Sequence, residues 1–259
     1  MKDTIDYKFV FVAIIISYYI AQFVIIQFKP DVARYMTLLQ IPFFLISIII
    51  INENNNFFSK YKIRFKFPAR IIPVMLWALV GISLIQIGSD ILIKQLLPNF
   101  LLQHYNLLYR SYMNEVNSLL VNNSRTILEF CTISFCIAII PAVCEELFFR
   151  GYLMQNIKEN NSKFFAIIIS ALLFSIIHLN PISFIYIFIL GLYLGHIFYK
   201  TGSIIPAMIL HFLNNFIIVL SSNFYYGNEM IITNIPFGII CIVVGGGVML
   251  SSIKITSQI

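Results

Sequence analysis

The sequence is laid out as long apolar runs broken by short polar turns, and no other feature narrows the fold as much. The runs cover about Tyr7 to Phe28, Tyr35 to Ile51, Ile71 to Ile93, Ile127 to Asn156, Phe164 to Leu179, Ile182 to Tyr199, Ile204 to Leu220 and Ile231 to Ser251. Roughly 20 consecutive apolar residues make a helix long enough to cross a hydrocarbon core. Continuous runs, rather than amphipathic stripes, mark a chain surrounded by lipid. Only 11% of the residues are charged, and mean hydropathy is +0.89. A water-soluble domain carries about twice that share of charge. The expectation is an all-α, polytopic transmembrane helical bundle of about eight spans, partnered by the lipid bilayer.

Charge placement gives the topology. Lys60, Lys62, Arg64, Lys66 and Arg70 crowd the loop after the second run, against the single acid Glu53. Positive residues gather on cytoplasmic loops, so this loop is expected in the cytoplasm. Lys158 and Lys163, Lys200, and Lys254 fall on the same side if eight spans alternate, which puts both termini in the cytoplasm of a multi-pass cell-membrane protein. The formal net charge of +6 is therefore topological. No aromatic-interleaved basic patch points to nucleic acid.

The stretch from Pro98 to Arg125 differs from the spans. Leu101, Tyr105, Leu108, Tyr112, Val116 and Leu119 recur at helical spacing opposite Gln103, His104, Arg110, Asn114 and Glu115. This pattern predicts an amphipathic helix in the membrane interface or over the bundle. Asp90, near the far end of the third run, reads as an interfacial residue reaching headgroups or water. Cys131, Cys136, Cys144 and Cys241 have no metal-type spacing and read as small buried hydrophobes. The first run is too long, and lacks a small-residue cleavage site, for a removable signal peptide.

Within the fourth run, Glu145-Glu146-Leu147-Phe148-Phe149-Arg150 sets two carboxylates and a guanidinium in apolar surroundings. Ionisable groups at that depth cost about 2.5–3.5 kcal/mol each on insertion scales, so they mark function by default. On a helix, Glu146 and Arg150 are i,i+4 neighbours and pair. Glu145 is then rotated away, with no partner in its own segment.

The later runs carry further polar residues. Phe174 and His178 are i,i+4 in the fifth, and His211 and Asn215 are i,i+4 in the seventh, with Asn214 beside them. Glu145 lies 13 residues before Lys158 and His178 lies 15 after Lys163. At about 1.5 Å per residue, both climb roughly 20 Å from a shared turn. His211, 11 residues past Lys200, stands within one or two helical turns of that depth. A carboxylate, two imidazoles and an amide meeting inside a bilayer can activate water and stabilise an oxyanion.

Glu145-Glu146-x-x-x-Arg150, Phe174-x-x-x-His178 and His211-x-x-x-Asn215, in that order, resemble the three-motif signature of the CPBP (Abi) family. That family includes the CAAX prenyl endopeptidases of the Ras-converting type and bacteriocin-processing and immunity proteases. Gly191 to Ser203, with Gly195 and Thr201-Gly202-Ser203 leading into His211, resembles it too. The motifs span about residues 140 to 220, which divides the chain into N-terminal spans and amphipathic helix (1–125) and a CPBP-like core (126–259) within one membrane unit. The resemblance implies a glutamate-dependent intramembrane peptidase acting on a membrane-associated peptide or protein. It implies that Glu145 is the general base assisted by His178, and that His211 and Asn215 form the oxyanion hole. Glu146 and Arg150 support the site, and Phe174 packs around it.

Three other readings fit some of these residues. Two glutamates and two histidines could bind zinc, but there is no HExxH and Glu146 is committed to Arg150, so no cofactor is expected. A non-proteolytic immunity or regulatory scaffold could use Glu146 and Arg150 as a structural staple. A transporter also carries intramembrane carboxylates, but it would show paired inverted halves with broken helices.

Overall fold

The computed structural model describes residues 7–28, 37–51, 61–96, 98–100, 103, 127–179, 183–224 and 234–258. These residues form helices, with no strand among them. The expected amphipathic helix between Pro98 and Arg125 lies almost wholly outside the described residues, as does the turn at residues 29–31.

In chain order, α1 is Tyr7–Phe28, and α2 begins as a π-helical turn, Ile41–Ile46, running on as Ser47–Ile51. Helix α3 is Ile71–Leu96. Helix α4 is one continuous path made of Ile127–Ser134, a π turn Phe135–Ile139, Ile140–Glu146, a second π turn Leu147–Leu153, and Met154–Glu159. Then come α5 (Lys163–Ile176), α6 (Phe184–Thr201), α7 (Ile205–Phe224) and α8 (Ile235–Thr256). Four of these, in α3, α4, α6 and α8, are long and apolar enough to cross a membrane, and four shorter apolar helices accompany them. The chain is a multi-pass membrane protein. Its outer face carries Phe9, Ile16, Phe23, Leu76, Trp77, Val243 and Leu250, each about half exposed or more, as suits lipid contact.

Two antiparallel pairs hold the bundle through small residues, which permit close approach where lipid gives no hydrophobic drive. A Cβ on Gly81 would stand 2.8 Å from the Gly245 carbonyl, and one on Gly88 2.6 Å from that of Gly238. Helices α3 and α8 therefore touch backbone to backbone, and Trp77 Nε1 donates to Ser251 Oγ at 2.9 Å across them. A Cβ on Gly191 of α6 would lie 3.1 Å from Ala171 Cα of α5, so these two helices are also tightly joined. Helices α1 and α2 pack on α4 through the Phe148 ring, which lies 5.7 Å from that of Phe11 and 4.8 Å from that of Phe44.

The basic turns meet at one end. Lys62 Nζ lies over the rings of Phe198 and Tyr199, and Lys158 Nζ lies 5.3 Å from that of Tyr199. His196 Nε2 meets Thr256 Oγ1 at 2.7 Å, which brings the end of α8 to the same level. Burial, then Lys158, Arg64 and Lys163, push the Lys62 ammonium below the ordinary lysine value. This same-side clustering is what the spacing of the basic residues predicts.

Candidate active site

The acidic pair sits in the short α segment of α4 between its two π turns. Such turns carry i→i+5 bonds in place of i→i+4 and recur at functional sites. The first precedes Pro141, which has no N–H to return to the carbonyl of Ile137 four residues back. Asn215 Nδ2, from α7, bonds to that carbonyl at 3.3 Å. The second contains Arg150.

Glu146 and Arg150 are wholly buried and paired, Arg150 Nη1 donating to Glu146 Oε1 at 2.7 Å. The i,i+4 pairing expected of a regular helix therefore holds from the end of the α segment into the second π turn. Arg150 Nη2 donates to the Gly191 carbonyl at 3.1 Å, and its guanidinium lies 4.5 Å from the centre of the Phe174 ring. Close packing at Gly191 is what brings that carbonyl within reach.

Glu145 points the other way. Its Oε1 accepts a 2.6 Å bond from Nε2 of Gln40, the residue that leads into α2. Its Oε2 has no hydrogen-bond partner among the described residues and lies 3.9 Å from His178 Nε2 and 3.8 Å from His211 Nε2. Those gaps exceed a direct hydrogen bond.

The neighbours of each imidazole fix the role of its Nδ1. His178 Nδ1 meets the Phe174 carbonyl at 2.6 Å. A carbonyl only accepts, so Nδ1 carries a hydrogen and Nε2 is the nitrogen that faces Glu145. The same bond satisfies one of the orphan carbonyls where α5 ends. His211 Nδ1 donates to Glu146 Oε1 at 3.0 Å, so Glu146 receives both Arg150 and His211. The Phe174 ring stands edge-on to both imidazoles, at 4.8 and 5.6 Å. His211 reaches this depth early in α7 because Ser203 and Ile204 are already buried. They are tied to the loop at residues 62–64 by Ile204 N donating to the Lys62 carbonyl at 3.1 Å and Ser203 Oγ donating to that of Arg64.

Glu145, His178 and His211 thus converge, with Glu146, Arg150 and Phe174 supporting them from behind. Asn215 makes its bonds one turn away, accepting from Asn214 Nδ2 at 3.3 Å as well as donating to Ile137. Asn214 Oδ1 accepts from Tyr186 of α6. Sequence reasoning missed Gln40, although it is the one amide side chain in the second apolar run and answers to the same logic that singled out Glu145. A cavity of about 210 Å³ reaches the site, lined by Tyr18, Tyr19, Gln40, Glu145, Ile177 and His178 among others. Among the described residues no group of three or more His, Cys, Asp and Glu side chains is arranged to hold a metal ion.

Residues 127–217 match the family model described as type II CAAX prenyl endopeptidase Rce1-like. No curated protein matches the chain. The matched segment contains every motif residue named above, and Gln40 lies outside it.

Proposed function

We propose that this chain, a member of the CPBP (Abi) family through residues 127–217, is an intramembrane endopeptidase that hydrolyses a peptide bond by glutamate-activated water. The observation that carries this reading is Glu145, a residue lining the cavity, whose buried Oε2 has no hydrogen-bond partner among the described residues and lies 3.8 and 3.9 Å from the Nε2 atoms of two histidines. A water between Glu145 Oε2 and His178 Nε2 donates one hydrogen to each acceptor, which leaves an oxygen lone pair free for a carbonyl carbon. Glu145 takes the proton as the water attacks and later delivers it to the leaving amine. The oxyanion is met by His211 at Nε2 and by the second N–H of the Asn215 amide. Arg150 and Glu146 hold His211 and Phe174 in place. No cofactor enters the scheme.

In this reading all eight helices span the bilayer, with the basic end and both termini cytoplasmic and the site in the opposite half. The substrate class is a membrane-associated peptide, such as a pheromone or bacteriocin precursor, or the tail of a membrane protein. Comparative peptidomics of cells carrying wild type or Glu145→Ala tests the activity. At least one processed peptide is expected to vanish with Glu145→Ala, and identical peptide profiles would sink the protease reading. Thiol labelling of Cys introduced at 145 and 178 from each side of the membrane tests the orientation.

A further inference from the structure

Gln40 enters the site from a part of the chain that the family match does not cover, and it is only 5% exposed. Its orientation is chemically fixed. A carboxylate only accepts, so the 2.6 Å contact with Glu145 Oε1 must be made by Nε2. The carbonyl end, Oε1, is then turned away from Glu145. That oxygen is buried and has no partner among the described residues, and Gln40 lines the cavity beside His178. A buried acceptor left unpaired is costly, and a ligand N–H arriving in the cavity would satisfy it. The chain sets this amide at the entry to the π turn Ile41–Ile46, with Pro42 at its start. The wall is held by Tyr18, whose ring lies 5.0 Å from that of Phe44, and the Tyr18 hydroxyl oxygen accepts from Gln22 Nε2 at 2.7 Å.

We propose that Gln40 uses both ends of its amide: Nε2 holds Glu145 so that Oε2 faces the water, and Oε1 receives a backbone N–H of an extended peptide lying in the cavity. The inference rests on the endopeptidase reading and adds the subsite that sets which bond is presented. Glu145 Oε1 is taken out of play by Gln40, which leaves one carboxylate oxygen for the proton. The peptide is read by its main chain at this point, so the contact fixes register and is indifferent to side chain.

The test uses full-length protein in lipid nanodiscs and a fluorogenic peptide chosen from a random library for turnover by wild type. Versions of that peptide are N-methylated one backbone amide at a time near the cleaved bond. In wild type, one position is expected to raise KM by about tenfold or more, the cost of leaving a buried acceptor unpaired. In Gln40→Met, kcat drops by about tenfold because Glu145 is no longer held, and the penalty at that one methylated position disappears while the others persist. A purely steric effect of the methyl group would leave the penalty equal in both proteins, which overturns the proposal. Unchanged kcat in a folded Gln40→Met overturns it too. Absence of any turnover by wild type overturns the endopeptidase reading and this inference with it, whereas turnover that ignores Gln40 overturns this inference alone.

Discussion

Glu146 receives Arg150 and His211 on the same carboxylate oxygen, at 2.7 and 3.0 Å, where neither Glu146 nor Arg150 has any contact with solvent. One acid thus anchors a cation within its own helix and orients an imidazole on another. Removing either end of the ion pair strands a buried charge.

That asymmetry gives the first prediction. Glu146→Gln and Arg150→Met should each destabilise the protein by about 3–5 kcal/mol, and the double variant Glu146→Met/Arg150→Met by much less than their sum. Unfolding of purified protein in detergent measures the cycle. Additive losses would show that the pair is not coupled.

Glu145 should behave in the opposite way. Glu145→Gln keeps the shape and the contact with Gln40, so its melting temperature should stay near that of wild type. Peptide hydrolysis should fall by at least about 10²-fold, the typical contribution of a positioned base. Full activity in Glu145→Gln would remove it from the mechanism.

Asn215 has a structural role that can be separated from a chemical one. Asn215→Leu should cost about 1–3 kcal/mol by leaving the Ile137 carbonyl unbonded. Pro141→Ala supplies the missing main-chain N–H and should return most of that stability without returning hydrolysis. Recovery of both properties would place Asn215 outside the chemistry.

The glycine contact between α3 and α8 lies apart from the acidic pair. Gly245→Ala sets a methyl group 2.6 Å from the Gly81 carbonyl, and overpacking of this kind costs about 1–3 kcal/mol. Thermal unfolding should move down while KM of the folded fraction holds. An unchanged melting curve would mean that the two helices separate at no cost.

Chelation bears on the metal alternative. Hydrolysis by the purified protein should persist after 1,10-phenanthroline or EDTA. Loss of activity that zinc restores would replace the glutamate mechanism with a metal one.

Much of the site is readable before any coordinates, because a charge in a greasy helix is anomalous on its face. Glu145, Glu146, Arg150 and the two histidines announce themselves that way, and i,i+4 spacing alone assigns Glu146 to Arg150. Gln40 escapes because a neutral amide in an apolar run is a weaker anomaly, and its partner is 105 residues distant. The partner of His211 Nδ1 comes from another helix, 65 residues away, which no local pattern encodes. The π turns escape for a similar reason. They reflect bonding one residue out of the usual step, imposed by Pro141 and by tertiary packing, and apart from Arg150 the residues within them look like any other apolar stretch. The descent of α7 into the bundle before His211 is likewise a consequence of bonds to the loop at residues 62–64.

A π turn is, in effect, an α-helix that has absorbed one surplus residue, and α4 has absorbed two, one on each side of its acidic pair. Excising a single residue from 147–153 or from 135–139 would swing one flank by about 100° relative to the carboxylates. The length of this helix is therefore under as tight a constraint as its composition. Lineages that gain or lose a residue here must do so in a compensating partner turn or surrender the acidic pair's address in the bundle.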